Sequence, residues 1–181
     1  VRKLQRLLYS GDKTFRNRAA DALGRVCAVV GKEDPGLVSK LLSNLFYTIS
    51  DTAAFTWGAF EAIGEIIGRS PSLFGGYVPQ IYTFLPDESR RDQAMQTLAR
   101  ISESSPLLLR KHTLYFFPYL KDPHPSVRAH AARMMGNLGA FEARKDLLSL
   151  RDDDQEVEIM ENGILTRKTV GTLASESLAR I

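Results

Sequence analysis

Apolar residues recur at i, i+4 and i+7 in five segments of the chain: AADALGRV (19–26), AFEAIGEI (59–66), AMQTLARI (94–101), AARMMGNL (131–138) and ASESLARI (174–181). Each reads Ala-x-x-x-[Leu/Ile/Met]-[Gly/Ala]-x-aliphatic, a spacing that lines one face of an α-helix. The opening alanines lie 40, 35, 37 and 43 residues apart, so the pattern is an internal repeat and these are its trailing helices. The small residue five positions after the alanine lets a neighbouring helix approach closely. Gly24, Gly64 and Gly136 therefore read as packing glycines, and no phosphate-loop or dinucleotide fingerprint surrounds them.

A second register precedes three of these segments, running from Pro35 to Asp51, Pro71 to Asp87 and Pro106 to Asp122, sixteen residues each time. Within it Leu45, Ile81 and Phe116 correspond, as do Ile49, Leu85 and Leu120. These stretches predict the leading helices, with Asp34, Ser70 and Ser105 placed to cap a proline-led first turn. Gly75 and Gly76 interrupt one copy. Two helices per unit of about 40 residues is the period of HEAT-type repeats, in which each pair buries its apolar face by stacking on the next. The expected fold is all-α: a right-handed α-solenoid over residues 1–181, with repeats at about 1–33, 34–69, 70–104, 105–140 and 141–181.

DPHPSVRAHAARMMGNLG (122–139) and TWGAFEAIGEIIG (56–68) resemble the HEAT-like repeats first named from phycobilisome lyases, with their Asp-Pro turn, Val-Arg pair and Ala-x-x-x-Leu-Gly helix. The resemblance covers nearly the whole chain. It implies a fold rather than a function, because that repeat serves scaffolds, adaptors, lyases and repair enzymes alike.

One stretch breaks the helical pattern. EVEIMENGILTRKTV (156–170) alternates like a strand about an Asn-Gly pair, and it sits in the fifth unit, where 22 residues separate the turn aspartate Asp152 from Ala174 instead of the usual seven to nine. It reads as a β-hairpin inserted between the two helices of the last repeat. Asn162 and Gly163 suit a two-residue type I′ turn, which pairs Met160 with Leu165 and Glu158 with Arg167. A lone hairpin is marginal in water, so this one either caps the last helix pair or meets another chain, with Met160, Asn162, Gly163 and Leu165 as its contact residues. The latter case implies a monomer that dimerises weakly through the hairpin.

Composition narrows the class without naming a reaction. The 181 residues are 44% hydrophobic and 25% charged, as in ordinary folded proteins. One cysteine, Cys27, forms no intrachain disulfide and fits a reducing cytoplasm. No apolar run approaches the ~20 residues of a membrane span. The net charge of +3 is a patchwork: +5 over 1–50, −2 over 51–100, +3 over 101–150 and −3 over 151–181.

The inner wall of such a stack is lined by the trailing helices. The stripe opposite their apolar face reads Asn17, Asp21 and Arg25; Trp57, Glu61 and Glu65; Asp92, Gln96 and Arg100; Ala129, Arg133 and Asn137; Thr172, Glu176 and Arg180. Five acids against four arginines do not make the basic track that duplex nucleic acid requires. Trp57, Glu61, Glu65, Asp21, Asp92, Arg100 and Arg133 are the candidate groove residues for a protein or peptide partner. Glu61 and Glu65, like charges one turn apart, point to a partner with a basic segment.

The three histidines, His112, His124 and His130, form no metal-ligand or catalytic spacing, so no catalytic residue, metal or cofactor is expected. Two enzyme alternatives rest on resemblance alone. HEAT-like alkylpurine DNA glycosylases hold a damaged nucleotide with tryptophans and an acid, which Trp57 and Glu61 resemble in type. Bilin lyases or related chaperones share the repeat.

Overall fold

The computed structural model describes residues 2–51, 58–161 and 163–181. The chain is mostly helical with one small antiparallel hairpin. The helices are α1 (Arg2–Leu7), α2 (Lys13–Glu33), α3 (Pro35–Ser50), α4 (Ala59–Arg69), α5 (Pro71–Phe74), α6 (Val78–Tyr82), α7 (Glu88–Ser104), α8 (Leu107–Arg110), α9 (Pro125–Leu138), α10 (Arg144–Ser149) and α11 (Val170–Leu178). Short 3₁₀ turns cover Gly75–Tyr77, Thr113–Lys121 and Phe141–Ala143.

The five aligned segments fall on α2, α4, α7, α9 and α11, and each of these helices packs against the next. Their alanines are the contact points: Ala59 is 3% exposed, and Ala94, Ala131 and Ala174 are fully buried. The glycines set how closely the helices approach. A Cβ on Gly24 would lie 2.7 Å from the Cβ of Glu65 on α4, and one on Gly136 would lie 2.8 Å from Ser177 on α11. One apolar core runs from Leu8 to Ala174.

The leading helices become less regular along the chain. Pro35–Ser50 is one uninterrupted helix, the next copy breaks at Gly75–Tyr77, and the third is largely 3₁₀ with Pro118 inside it. Proline removes a backbone donor and glycine adds backbone entropy, so the later copies rely on burial of Phe74, Ile81, Phe116 and Leu120. Asp34 caps α3 as expected, accepting the Leu37 N–H at 3.0 Å. The two serines do not cap. Ser70 makes no side-chain cap bond. Ser105 is buried and donates to the Gly68 carbonyl at 2.9 Å, satisfying an orphan acceptor at the end of α4.

Loop aspartates and helix arginines stitch the repeats together at the other end. Arg91 on α7 donates to the Leu85 and Pro86 carbonyls and reaches Asp122 at 3.0 Å. One repeat later, Arg128 donates to the Asp122 and Pro123 carbonyls and reaches Asp153 at 2.8 Å. Asp87, Asp122 and Asp153 each accept the N–H two residues on. The turn aspartate of the fifth unit is therefore Asp153 and not Asp152, because only Asp153 makes both bonds.

The hairpin pairs β1 (Glu156–Glu161) with β2 (Ile164–Thr169) in the expected register, Met160 opposite Leu165 and Glu158 opposite Arg167. Gly163 has φ +77°, the left-handed region that an Asn-Gly hairpin turn uses. Strand β1 lies against α9 and β2 against α11. Val157 and Ile159 are buried, at 6% and 0% exposure. The hairpin also spans back towards the start of the chain, where Lys13 Nζ lies 3.4 Å from Glu158. Among the described residues no helix is long and apolar enough to cross a membrane.

Candidate functional site

A groove of about 460 Å³ runs over α2, α4, α7 and α9, and Met160 and Gly163 at the hairpin tip border it. Of the residues expected there, Asp21, Glu61, Glu65, Arg100 and Arg133 line it, with Asn17, Arg25 and Gln96 from the same stripe. Trp57 and Asn162 lie outside the described residues. Asp92 lies elsewhere: it accepts from the Ser126 hydroxyl at 2.6 Å and faces a second recess beside the hairpin with Glu88, His124 and Glu156. Ala129, expected on the groove wall, is fully buried. Leu165 is partly buried on β2 and does not line the groove.

The groove floor is a ladder of alternating charge. Arg25 pairs with Asp21 at 3.0 Å, and Asp21 also takes Arg69 of the next helix. Arg69 pairs with Glu65 at 3.0 Å, and Glu65 accepts Arg100 of α7 at 2.6 Å. Arg100 meets Glu103 at 2.7 Å, and Glu103 receives Arg133 of α9 at 2.5 Å. Each of the three carboxylates thus bridges two guanidiniums, one on its own helix and one on a neighbour. Asn137 continues the line, donating to Ser102 at 2.9 Å and accepting from Arg180 at 2.7 Å.

This ladder revises the expectation for the Glu61–Glu65 pair. Glu65 is only 8% exposed and holds two arginines, so its charge is already compensated, and the penalty of a like charge one turn away is offset within the chain. Only Glu61 of the two is outside the ladder. Among the described residues no cation lies within ion-pair distance of its carboxylate. Burial raises its pKa above the ordinary range, partly offset by its own backbone N–H and by the more distant charges of Arg16 and Lys13.

His130 is the second perturbed group. It lines the groove, is 3% exposed, and its Nδ1 has no hydrogen-bond partner. Burial pushes its pKa down to about 4, against the pull of Asp92 and with added repulsion from Arg133 and Lys13. The imidazole is therefore neutral near pH 7. Cys27 is buried away from any such chemistry, with its thiol pushed up to about 11 by burial, which leaves little of the reactive thiolate at neutral pH.

Arg69 and Glu103, both rungs of the ladder, and His130 escape a sequence reading confined to the stripe. Arg69 continues it by one further turn, four residues beyond Glu65. Glu103 and His130 sit at its margin, where neither the polar nor the apolar periodicity marks them. The chain matches no model of a known protein family and has no significant match among curated proteins.

Proposed function

We propose that the chain is a non-catalytic scaffold, a right-handed α-solenoid of HEAT-like helix pairs whose concave groove binds a protein or peptide partner. The successive packing of α2, α4, α7, α9 and α11 supports the architecture. The charge ladder carries the functional reading. Arginines and carboxylates alternate along the groove floor and neutralise one another. A duplex held through its phosphates needs a row of cations free to displace counterions. A peptide, by contrast, presents donors, acceptors and both signs of charge, and a floor that offers both signs at fixed spacing matches it. The groove volume also falls within the ~300–1,000 Å³ typical of ligand clefts.

The test is capture of a partner by residues 1–181, followed by reconstitution of the complex from purified components. Glu103→Arg, which reverses an exposed rung between Arg100 and Arg133, is expected to weaken the complex at least tenfold. Tyr47→Ser, on an exposed position of α3, is expected to leave it unchanged. Equal binding by both variants, or duplex DNA held more tightly than any protein, overturns the reading.

A further inference from the structure

Three features belong to the same groove. The first is the standing of Glu61. Asp21, Glu65 and Glu103 are each saturated by two arginines, whereas Glu61 has no such partner among the described residues and is partly buried. A carboxylate partly withdrawn from water and without a cation gains from a group that pairs with it. The second is His130, a nearly inaccessible ring with an unpartnered nitrogen, which lines the same groove from α9. Glu61 on α4 and His130 on α9 face the same groove. The third is the remaining wall. Asn17 donates its amide N–H to the Lys13 carbonyl at 2.8 Å, leaving its amide oxygen as an acceptor, and Gln96 occupies on α7 the repeat position that Glu61 holds on α4.

We propose that Glu61, Asn17, Gln96 and His130 form a subsite that takes one lysine or arginine side chain of a peptide partner. The proposal rests on the peptide-binding reading and names the group that anchors the peptide. The chemistry is a carboxylate flanked by neutral acceptors, which suits a cation with several N–H donors. His130, neutral at pH 7, backs the subsite without repelling the incoming charge. The five groove arginines, Arg18, Arg25, Arg69, Arg100 and Arg133, argue for an anion only if they are free. Four of the five are spent on the ladder acids, which leaves the exposed Arg18 of that set to meet an anion, while Glu61 is the groove carboxylate outside the ladder. Binding here also returns the Glu61 carboxylate to a paired state.

The experiment selects 12-residue peptides from a random display library on residues 1–181, then measures the enriched peptides against the wild type and Glu61→Gln, a substitution that keeps the shape of the side chain. The expected result is peptides with a shared lysine or arginine, whose replacement by norleucine or citrulline costs at least tenfold. The same loss is expected from Glu61→Gln, and the two losses should not add, since both remove one contact. Unchanged melting of Glu61→Gln confirms that the fold is intact. Peptides that bind but ignore both changes, or acidic peptides that depend on Arg18 or Arg25, overturn the subsite and leave the peptide-binding reading standing. Failure to enrich any peptide overturns the reading itself, and the subsite with it.

Discussion

Replacing single glycines by alanine separates close helix packing from mere helix preference. In α9, a Cβ added to Gly136 meets the Cα, Cβ and Oγ of Ser177, all at 2.8 Å. Two of those atoms belong to or adjoin the backbone of α11, so relief requires the helices to part. In α4, a Cβ on Gly64 meets nothing closer than the Thr97 methyl at 3.4 Å, an ordinary contact. Both glycines lie inside helices, so alanine gains about 0.8–1 kcal/mol of helix propensity at either site. That gain cancels in the comparison. What remains is the overpacking cost at Gly136, about 1–3 kcal/mol. Gly64→Ala is therefore expected to stabilise the protein slightly, and Gly136→Ala to melt about 2–12 °C below it. Urea denaturation of both variants, with midpoints compared at unchanged slope, measures the difference. Equal midpoints, or a more stable Gly136→Ala, would refute the claim that Gly136 sets the spacing between α9 and α11.

Two further outcomes follow from buried groups. Replacing residues 156–169 with a short polar loop exposes what Val157 and Ile159 cover and removes both side chains from the core; at about 1.5–3 kcal/mol per buried aliphatic residue, the melting temperature of the monomer should fall by many degrees, and an unchanged value would show that the hairpin contributes no packing. His130 has a folded-state pKa of about 4 against 6.5 when free, so the unfolded chain binds the extra proton first as pH drops. Stability present above pH 6.5 is therefore lost between there and about 4, by on the order of 3 kcal/mol, and His130→Leu should flatten that part of the curve; Asp92, Arg133 and Lys13 are the charges around the ring. An NMR titration showing His130 protonated at pH 6 would contradict this.

The helices and the hairpin were legible because their signals are local. The five alanine segments mark α2, α4, α7, α9 and α11, and Asn162-Gly163 with its flanking alternation fixes the strand register. The groove wall was legible in part for the same reason, since Asp21, Glu61, Glu65, Arg100 and Arg133 follow from helical period alone. The pairing among them was not. Whether Glu65 meets Arg100 depends on how α4 and α7 are offset along their axes, and helical period alone does not specify that offset. Asp92 illustrates the point: its register position matches that of Asn17, yet Ser126 and the N-terminal end of α9 draw it out of the groove. Ser105 likewise reads as a cap locally and serves instead as a bond between repeats, because its neighbour in space is Gly68.

The hairpin fixes the count of the helix pairs it spans. Stacked repeats are ordinarily extensible, since each touches only its neighbours and one more can be slotted in without disturbing the rest. Here β1 and β2 leave the fifth unit, lie on α9 and α11, and bring Glu158 to Lys13 at the start of α2, while Met160 and Gly163 share a groove with Asn17 and Arg18. Inserting one more helix pair would shift α2 by roughly the 8–10 Å that separates packed helices, and the hairpin would no longer span the row. The strap thus acts as a ruler: duplication of a helix pair between α2 and α9 is closed to this chain unless the hairpin lengthens with it.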